Sequence, residues 1–183
     1  MDLELEEFLR SLTPFAEATF PWGEPLRIQA KYYLSKKQPP RQYITSVRSI
    51  VFQAESVLVV RDAESHFHIT PGGRSEKGET FEETLRREVL EETGWTISDI
   101  SLLGFAHVHH LDPKPVNYAY PYPDFIWLIY ISQANEYIPE VKIPGVYELE
   151  TGFRPITEVR RLHLDAEQLL LLDAAIETYR GPR

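Results

Sequence analysis

The chain has 183 residues, of which 43% are hydrophobic and 26% charged, a composition typical of one soluble globular domain or of a domain with an extension. Its formal net charge of −9 argues against long nucleic acid as a partner, and the absence of cysteine excludes disulfides and thiol catalysis. The acidic N-terminus is unlike a signal peptide and no apolar run approaches the length of a membrane span, so we expect a cytoplasmic protein with no membrane partner.

The first part of the chain predicts one helix and two strands. Hydrophobic residues spaced among acids favour a short amphipathic helix over residues 2–12. A proline-containing connection follows over residues 13–25. Alternating segments rich in Ile, Val and Tyr then predict strands over 26–34 and 42–53.

The rest of the chain alternates predicted strands with predicted helices. Strands on both sides of a central helix, with another helix near the end, favour an α/β sandwich with a mixed β-sheet. We expect residues 1–45 to be an N-terminal extension, through which two copies could pair, and residues 46–183 to be the main domain. Asp165 and Gln168 form a predicted capping pair for the last helix. Strands are predicted at 56–62, 100–110 and 125–133, and helices at about 80–93, 157–161 and 166–179.

One predicted helix carries a concentration of acids. In the segment RREVLEETG, residues 86–94, Glu88, Glu91 and Glu92 stand at positions i, i+3 and i+4. Side chains at this spacing are neighbours on a helix, and each close pair of like charges costs about 0.2–0.5 kcal/mol in an isolated helix. The arrangement therefore needs a compensating interaction.

These acids do not form an ordinary solvated face. At roughly 100° per residue, Phe81, Leu85 and Val89 share one direction, which must face the core. Glu92 lies in line with this apolar stripe, and the other two glutamates lie at or just beyond its edge. A carboxylate held against the core needs a partner, and one nearby arginine cannot neutralise three of them. Hard divalent cations take clustered carboxylate oxygens as ligands, so the pattern favours a metal site.

Residues on either side of this helix set its ends and the loop before it. Thr80 and Glu83 form a predicted capping box, and Gly94 stands just after the expected helix end. Upstream, Gly72 and Gly73 predict a tight loop. The backbone of such a loop can closely approach the helix or a metal-bound phosphate.

Together these residues form an extended motif. From Gly73 to Trp95 the sequence follows the pattern G-x5-E-x7-R-E-U-x-E-E-x-G-U, where U is a bulky apolar residue. This pattern resembles the Nudix box, and every fixed position of the box is present. Trp95 is a mild departure, since an aliphatic residue is more usual at that position. The fixed positions are Gly73, Glu79, Arg87, Glu88, Glu91, Glu92 and Gly94, with Val89 and Trp95 at the U positions.

The resemblance implies a hydrolase that cuts a pyrophosphate bond in a nucleoside diphosphate linked to another moiety. It implies Mg²⁺ or Mn²⁺ as the cofactor, bound by Glu88, Glu91, Glu92 and the backbone carbonyl of Gly72. Either Glu88 or Glu91 is further implied to act through water as the base. Both the substrate and the protein are anionic, so they would repel each other without cations between them.

The resemblance assigns supporting roles to other residues of the motif. Arg87 is expected to orient the glutamates, and Glu79 to support the junction between loop and helix. Arg74 directly follows Gly73 and is a predicted contact to the substrate.

Two acids downstream of the motif have two interpretations. Glu148 and Glu150 precede a segment that resembles the strand and turn usual near the end of a Nudix domain. Either acid could be a remote metal ligand or a general base, and Glu150 is a candidate contact to the substrate. The alternative is that both are solvated loop acids.

The segment NYAYPYPDF, residues 117–125, also has two interpretations. Tyr118, Tyr120 and Tyr122 could form a lid that stacks on a nucleobase, because aromatic rings accept the face of any base. The alternative is a stiff, extended connection that covers a sheet edge or contacts a second subunit.

Two further patterns receive no site assignment. The segment HVHH places His107 and His109 on one face of a predicted strand, where partly buried or surface histidines are the commoner outcome. Residues 25–54 hold six basic residues and no acid. They could contact distal phosphates or a second subunit, although most charged residues on edge strands are solvated.

Within the hydrolase class, nucleoside triphosphates and nucleotide-sugars rank ahead of dinucleoside polyphosphates and RNA 5′ ends. A second hypothesis is a non-catalytic nucleotide-binding sensor on the same fold, which predicts losses among the three box glutamates, and none is lost. An isoprenoid diphosphate isomerase would need a catalytic cysteine, which the chain lacks. The expected partner is a small-molecule nucleotide, and a homodimer is one expected assembly.

Overall fold

The structure is a computed structural model. The part of the chain that it describes contains eight β-strands and four α-helices. The described residues are 2–22, 26–62, 65–118, 121–143 and 148–181, and for residues 148 and 149 the description covers the backbone alone. The helices are α1 (Leu3–Leu9), α2 (Phe81–Thr93), α3 (Ile156–Val159) and α4 (Ala166–Arg180). The strands are β1 (Ala16–Pro21), β2 (Arg27–Leu34), β3 (Ile44–Gln53), β4 (Ser56–Asp62), β5 (Phe67–His68), β6 (Trp95–His110), β7 (Asp124–Tyr137) and β8 (Glu148–Pro155). Short 3-10 helices occur at Arg41–Tyr43 and Pro139–Val141.

The chain divides into two compact units, each formed by two separate segments of the sequence. The first unit holds residues 1–46 and 104–128, and the second holds residues 47–103 and 129–183. Strands β3, β6 and β7 contribute residues to both units, and β7 lies between β6 and β3 in the strand order. The division at residue 45 between an extension and a main domain stays a prediction.

Antiparallel pairing builds the first unit. Strand β2 pairs with β1 from Ala16↔Tyr32 to Pro21↔Arg27, and it pairs on its other side with β6. Helix α1 packs through Phe8 on the ring of Phe105, with 5.5 Å between ring centroids. The predicted helix and the strand at 26–34 are confirmed. Strand β1 was not predicted, because it lies inside the proline-containing segment that we interpreted as a connection.

Strand β4 is the centre of the second unit. It pairs with β3, β5 and β8, all antiparallel. Its residues 57–60 are at most 4% exposed, so both faces of the strand are covered. Glu150 lies within β8, opposite Arg61, rather than in a loop.

Helix α2 follows the predicted pattern closely. The capping box is present: the amide of Glu83 donates to Thr80 Oγ1 at 3.2 Å, and the amide of Thr80 donates to the Glu83 carboxylate at 2.8 Å. Gly94 ends the helix with a left-handed φ of 79°. The predicted apolar stripe is buried, since Leu85 and Val89 are 0% exposed.

The last helix begins where it was predicted to begin, but the predicted side-chain capping contact is absent. Asp165 is the N-cap residue of α4, yet its side chain makes no capping hydrogen bond. The predicted pair with Gln168 is wrong, because the Gln168 side-chain oxygen instead accepts a hydrogen bond from the amide of Ile69 at 3.0 Å. None of the described helices is long and apolar enough to cross a membrane.

We predict that Leu85→Ala lowers the free energy of unfolding by about 2–5 kcal/mol, because it leaves a cavity where a fully buried side chain packs. Leu170→Ala is the matched control, since Leu170 on α4 is 44% exposed and its loss should cost less than about 1 kcal/mol. Urea unfolding measures both variants. Equal losses would show that α2 is not anchored through this stripe.

Candidate active site

The loop before α2 is pinned to strand β3. The amide of Val47 donates to the carbonyl of Gly73 at 2.9 Å, and the amide of Ser49 donates to the carbonyl of Pro71 at 2.9 Å. Gly72, between them, has a φ of 139°, which side-chain-bearing residues rarely adopt. A Cβ at Gly72 would also overlap the carbonyl oxygen of Val47 and lie 2.8 Å from the Cα of Arg48. Only glycine fits this position, and its backbone is thereby fixed beside α2.

Backbone and carboxylates meet where the loop touches the helix. Glu92 Oε2 accepts a hydrogen bond from the amide of Gly72 at 2.8 Å. The Glu88 carboxylate lies over Gly73 so closely that a Cβ there would overlap it. Gly73 therefore leaves the space that the Glu88 carboxylate occupies, and Gly72 holds Glu92 through its amide.

Arg87 holds the other acids of the motif. Its Nε and Nη2 donate to the two carboxylate oxygens of Glu79 at 2.7 and 3.0 Å, a bidentate pair. Its Nη1 donates to Glu88 at 2.8 Å and to Glu91 at 3.2 Å. Nη2 also donates to the carbonyl of Arg74 at 3.0 Å, so one half-buried guanidinium ties the loop to the helix.

These contacts shift the proton affinities of the pair. Hydrogen bonds from Arg87, from the Glu76 amide and from the Thr84 hydroxyl lower the pKa of Glu79 to about 2. The same carboxylate raises the pKa of Arg87 above its ordinary value. Glu79 and Arg87 are therefore both charged at any pH near neutrality.

The carboxylate edge has the chemistry of a divalent cation site. Glu88, Glu91 and Glu92 carry three negative charges, and Arg87, which contacts Glu88 and Glu91, offsets one of them. Hard cations such as Mg²⁺ and Mn²⁺ prefer such oxygen ligands. Among the described residues no three acidic or histidine side chains already converge on one point, because Glu88 and Glu91 turn to Arg87 and Glu92 turns to Gly72. The residue types fit a cation, and rotation of these side chains would gather them around it.

The other residues predicted to contact the substrate or a metal lie outside α2. The side chain of Arg74 is exposed next to Gly73. Glu150 is exposed and pairs with Arg154 at 3.0 Å and with Arg61 at 3.4 Å. The side chain of Glu148 lies outside the described part of the chain. Their predicted roles stay predictions.

The tyrosines of segment 117–125 belong to the first unit. The hydroxyl of Tyr118 lies 2.8 Å from His110 Nε2, and the hydroxyl of Tyr122 donates to the carbonyl of Asp112 at 2.9 Å. The rings of Tyr122 and His110 stack with centroids 5.3 Å apart. Tyr120 lies outside the described residues. The two described tyrosines are thus packed on one histidine, and their role as a lid stays a prediction.

A buried polar cluster in the first unit escaped the sequence analysis. Asp124 is 4% exposed, and one of its oxygens accepts from His107 and from His109, each at 2.8 Å. Burial alone would raise the pKa of Asp124, but the two histidine hydrogen bonds outweigh it and lower the pKa. The strand alternation of HVHH did place both histidines on one face. Nothing in the sequence indicated that Asp124, at the start of β7, meets them.

Arg48 and His68 form a second unexpected pair, beside the loop that precedes α2. Arg48 Nη1 donates to the carbonyl of Thr70 at 3.4 Å. Burial and the nearby Arg48 charge lower the pKa of His68 to about 4. His68 is therefore neutral at neutral pH, a role to which no sequence signal pointed.

Comparison with known proteins identifies the family of the chain. The family model described as NUDIX domain matches residues 42–173, more than half of the chain. The fold and the carboxylate helix define a Nudix-type hydrolase domain. The chain belongs to the Nudix family. No curated protein sequence matches it.

Solved structures share the fold. A NUDIX hydrolase from Nitrosomonas europaea is 19% identical, with a TM-score of 0.55 over 72% of this chain and 87% of that chain. The Bacillus subtilis pyrophosphohydrolase BsRppH is 19% identical, with a TM-score of 0.58 over 88% and 97%. The NUDIX domain of Shewanella oneidensis NrtR, in a complex with ADP ribose, is 17% identical, with a TM-score of 0.56 over 78% and 94%. The predicted α/β fold with a mixed β-sheet is confirmed by this likeness.

We predict that Gly73→Ala lowers turnover by about a hundredfold and leaves the fold intact. The three atoms nearest to the new Cβ all belong to the Glu88 carboxylate, so we expect the carboxylate to move while the backbone stays, and a displacement of about 1 Å in a predicted catalytic group costs on that order. Gly152→Ala is the matched control, because a Cβ there meets no atom within 4 Å. Kinetics and urea unfolding are measured on both variants, and normal turnover in Gly73→Ala would contradict the placement of Glu88.

We predict that stability falls as the pH drops from about 6.5 towards 4, partly because of His68. Its pKa is lower in the folded state than the ordinary 6.5, so the unfolded chain takes up the proton first. The contribution of neutral His68 to the free energy of unfolding is complete above pH 6.5. At acid pH up to about 3 kcal/mol of it is lost. His68→Gln should flatten this part of the pH profile, measured by urea unfolding.

The exposed His163 provides the control for that measurement. His163→Gln should leave the pH profile unchanged. The same slope in His68→Gln and in the wild-type chain would show that His68 is not neutral in the folded state.

Proposed function

We propose that the chain hydrolyses a pyrophosphate bond in a nucleoside diphosphate linked to another moiety, with Mg²⁺ or Mn²⁺ as its cofactor. Membership of the Nudix family supports the reaction class. The observation that carries the proposal is the helix edge on which Glu88, Glu91 and Glu92 lie beside the fixed backbone of Gly72.

Four groups of this chain would hold the cation: the carboxylates of Glu88, Glu91 and Glu92, and the carbonyl of Gly72. A bound divalent cation neutralises phosphoryl oxygens and activates water as a nucleophile. In the proposal, Glu88 or Glu91 takes a proton from the attacking water, and both side chains are partly accessible to solvent. Their side chains are 17% and 31% exposed.

Arg87 and Glu79 act as positioning residues in this proposal. The bidentate pair fixes the guanidinium, and the guanidinium in turn holds Glu88 and Glu91 in place. A planar guanidinium makes several hydrogen bonds in fixed directions, which a lysine ammonium cannot reproduce. The two residues therefore preorganise the acids before a cation binds.

For the substrate, we propose nucleoside triphosphates and nucleotide-sugars ahead of dinucleoside polyphosphates and RNA 5′ ends. The net charge of −9 disfavours long polyanions, which supports placing RNA 5′ ends last. We also propose a cytoplasmic enzyme that acts alone or as a homodimer, which size-exclusion chromatography with light scattering would distinguish.

The test is product formation from a nucleotide panel with Mg²⁺, with Mn²⁺ and with chelator. The panel holds nucleoside triphosphates, nucleotide-sugars, ADP-ribose, dinucleoside polyphosphates and a 5′-triphosphorylated oligonucleotide. Cleavage that requires the metal is the expected result. Metal-dependent binding of nucleotides without cleavage of any of them would instead favour the sensor.

We predict that Glu92→Gln abolishes turnover while the fold survives. The amide oxygen of glutamine can still accept the hydrogen bond from Gly72, but the charge that would bind a cation is lost. Glu82→Gln is the matched control, because Glu82 is an exposed residue of the same helix paired only with Arg86 among the described residues. Full turnover in Glu92→Gln would overturn the metal assignment.

A further inference from the structure

The segment 138–143 is tied to the end of the catalytic helix. The amide of Ile138 donates to the carbonyl of Gly94 at 2.7 Å, and the amide of Ile143 donates to the carbonyl of Glu91 at 2.9 Å. The last carbonyls of a helix have no partner within the helix, so these two bonds satisfy them. The segment is thereby bonded to the backbone of Glu91, a proposed cation ligand.

In this segment the apolar side chains are more exposed than the charged one between them. The apolar side chains of Val141 and Ile143 are 43% and 56% exposed, whereas Lys142 between them is half-buried. A lysine normally keeps its ammonium in water while apolar neighbours turn inward. Lys142 is therefore less exposed than either of its apolar neighbours, and a specific contact directs its side chain.

Lys142 has a neutral partner. Its Nζ donates to Thr151 Oγ1 at 3.2 Å, and it forms no ion pair with a carboxylate in the described part of the chain. The threonine hydroxyl accepts a hydrogen bond but carries no charge to offset that of the ammonium. The hydroxyl therefore fixes the direction of the side chain.

Strand β8 shows which way this ammonium faces. Thr151 and Phe153 lie on the same face of the strand, and the ring of Phe153 meets Trp95 edge-on at 5.2 Å. Trp95 directly follows Gly94, the last residue of the α2 cap. On the opposite face, a Cβ at Gly152 would meet no atom within 4 Å. Lys142 thus lies on the side of β8 that faces the end of the catalytic helix.

We infer that Lys142 binds a phosphoryl oxygen of the substrate at the C-terminal end of α2. The inference rests on the proposed function and adds a contact to it. A phosphate-bearing substrate must approach an edge that carries Glu88, Glu91 and Glu92, and a fixed cation of the protein beside that edge offsets part of the repulsion. Lysine is a common point-charge ligand for phosphate, and Thr151 holds the ammonium in place until the substrate arrives.

The experiment compares Lys142→Met and Lys142→Arg with the wild-type chain. The substrate is whichever nucleotide of the panel the wild-type chain cleaves. Lys142→Met should raise KM about tenfold with little change in kcat, because a charge-assisted hydrogen bond to the substrate is lost. Lys142→Arg should restore most of the affinity, and the wild-type KM should rise more steeply with salt than that of Lys142→Met.

The control is Lys114→Met, at an exposed lysine of the first unit, which should leave KM unchanged. Urea unfolding shows whether each variant is folded, and Lys142→Gln is the second neutral variant should Lys142→Met unfold. An unchanged KM in the folded neutral variant would overturn the inference. So would a loss that Lys142→Arg fails to restore.

Binding of inorganic pyrophosphate in Mg²⁺, measured by calorimetry, separates the two proposals. If the wild-type chain cleaves nothing in the panel but Lys142→Met binds pyrophosphate about tenfold more weakly, the proposed function fails and the Lys142 contact holds. If the wild-type chain cleaves a nucleotide and both chains bind pyrophosphate equally well, the proposed function holds and the Lys142 contact fails.

Discussion

The candidate site depends on one half-buried guanidinium. Arg87 reaches the loop through Glu79 and the Arg74 carbonyl, and it reaches the helix through Glu88 and Glu91. Charge-assisted hydrogen bonds of this kind are roughly twice as strong as neutral ones, and the planar group fixes their directions. Without this cation, carboxylates one turn apart on a helix would repel one another. The acidic edge can therefore exist in a folded protein before any metal is present.

Backbone geometry complements this electrostatic arrangement. The loop lies against β3 through two hydrogen bonds, and Gly72 adopts a conformation that other residues rarely adopt. Its amide provides the partner that Glu92 needs close to the core. One glutamate is thus held by the main chain and two by a side chain. Binding of a cation at the proposed site would replace side-chain contacts of these glutamates rather than rearrange the fold.

The sequence predicted the parts of the molecule that local rules determine. Helix α2, its capping box and its buried stripe follow from spacing alone, and the motif from Gly73 to Trp95 indicated the family. Contacts between distant segments could not be predicted. Asp124 meets histidines that lie 15 and 17 positions before it, and Gln168 bonds to an amide 99 positions away instead of capping its own helix. Strand β1 was missed because its proline content resembles that of a loop, although its pairing with β2 stabilises it.

Trp95, the one departure from the usual motif, packs against Tyr137 and Phe153 with ring centroids 4.9 and 5.2 Å away. The other two tryptophans, Trp22 and Trp127, belong to the first unit. Trp95 is half-buried and directly follows Gly94, the residue that ends α2, so its fluorescence depends on how that end is packed. Trp95, at a position where the family usually has an aliphatic residue, therefore gives this chain an intrinsic fluorescent reporter. Its emission follows the packing at the end of α2 without an added label.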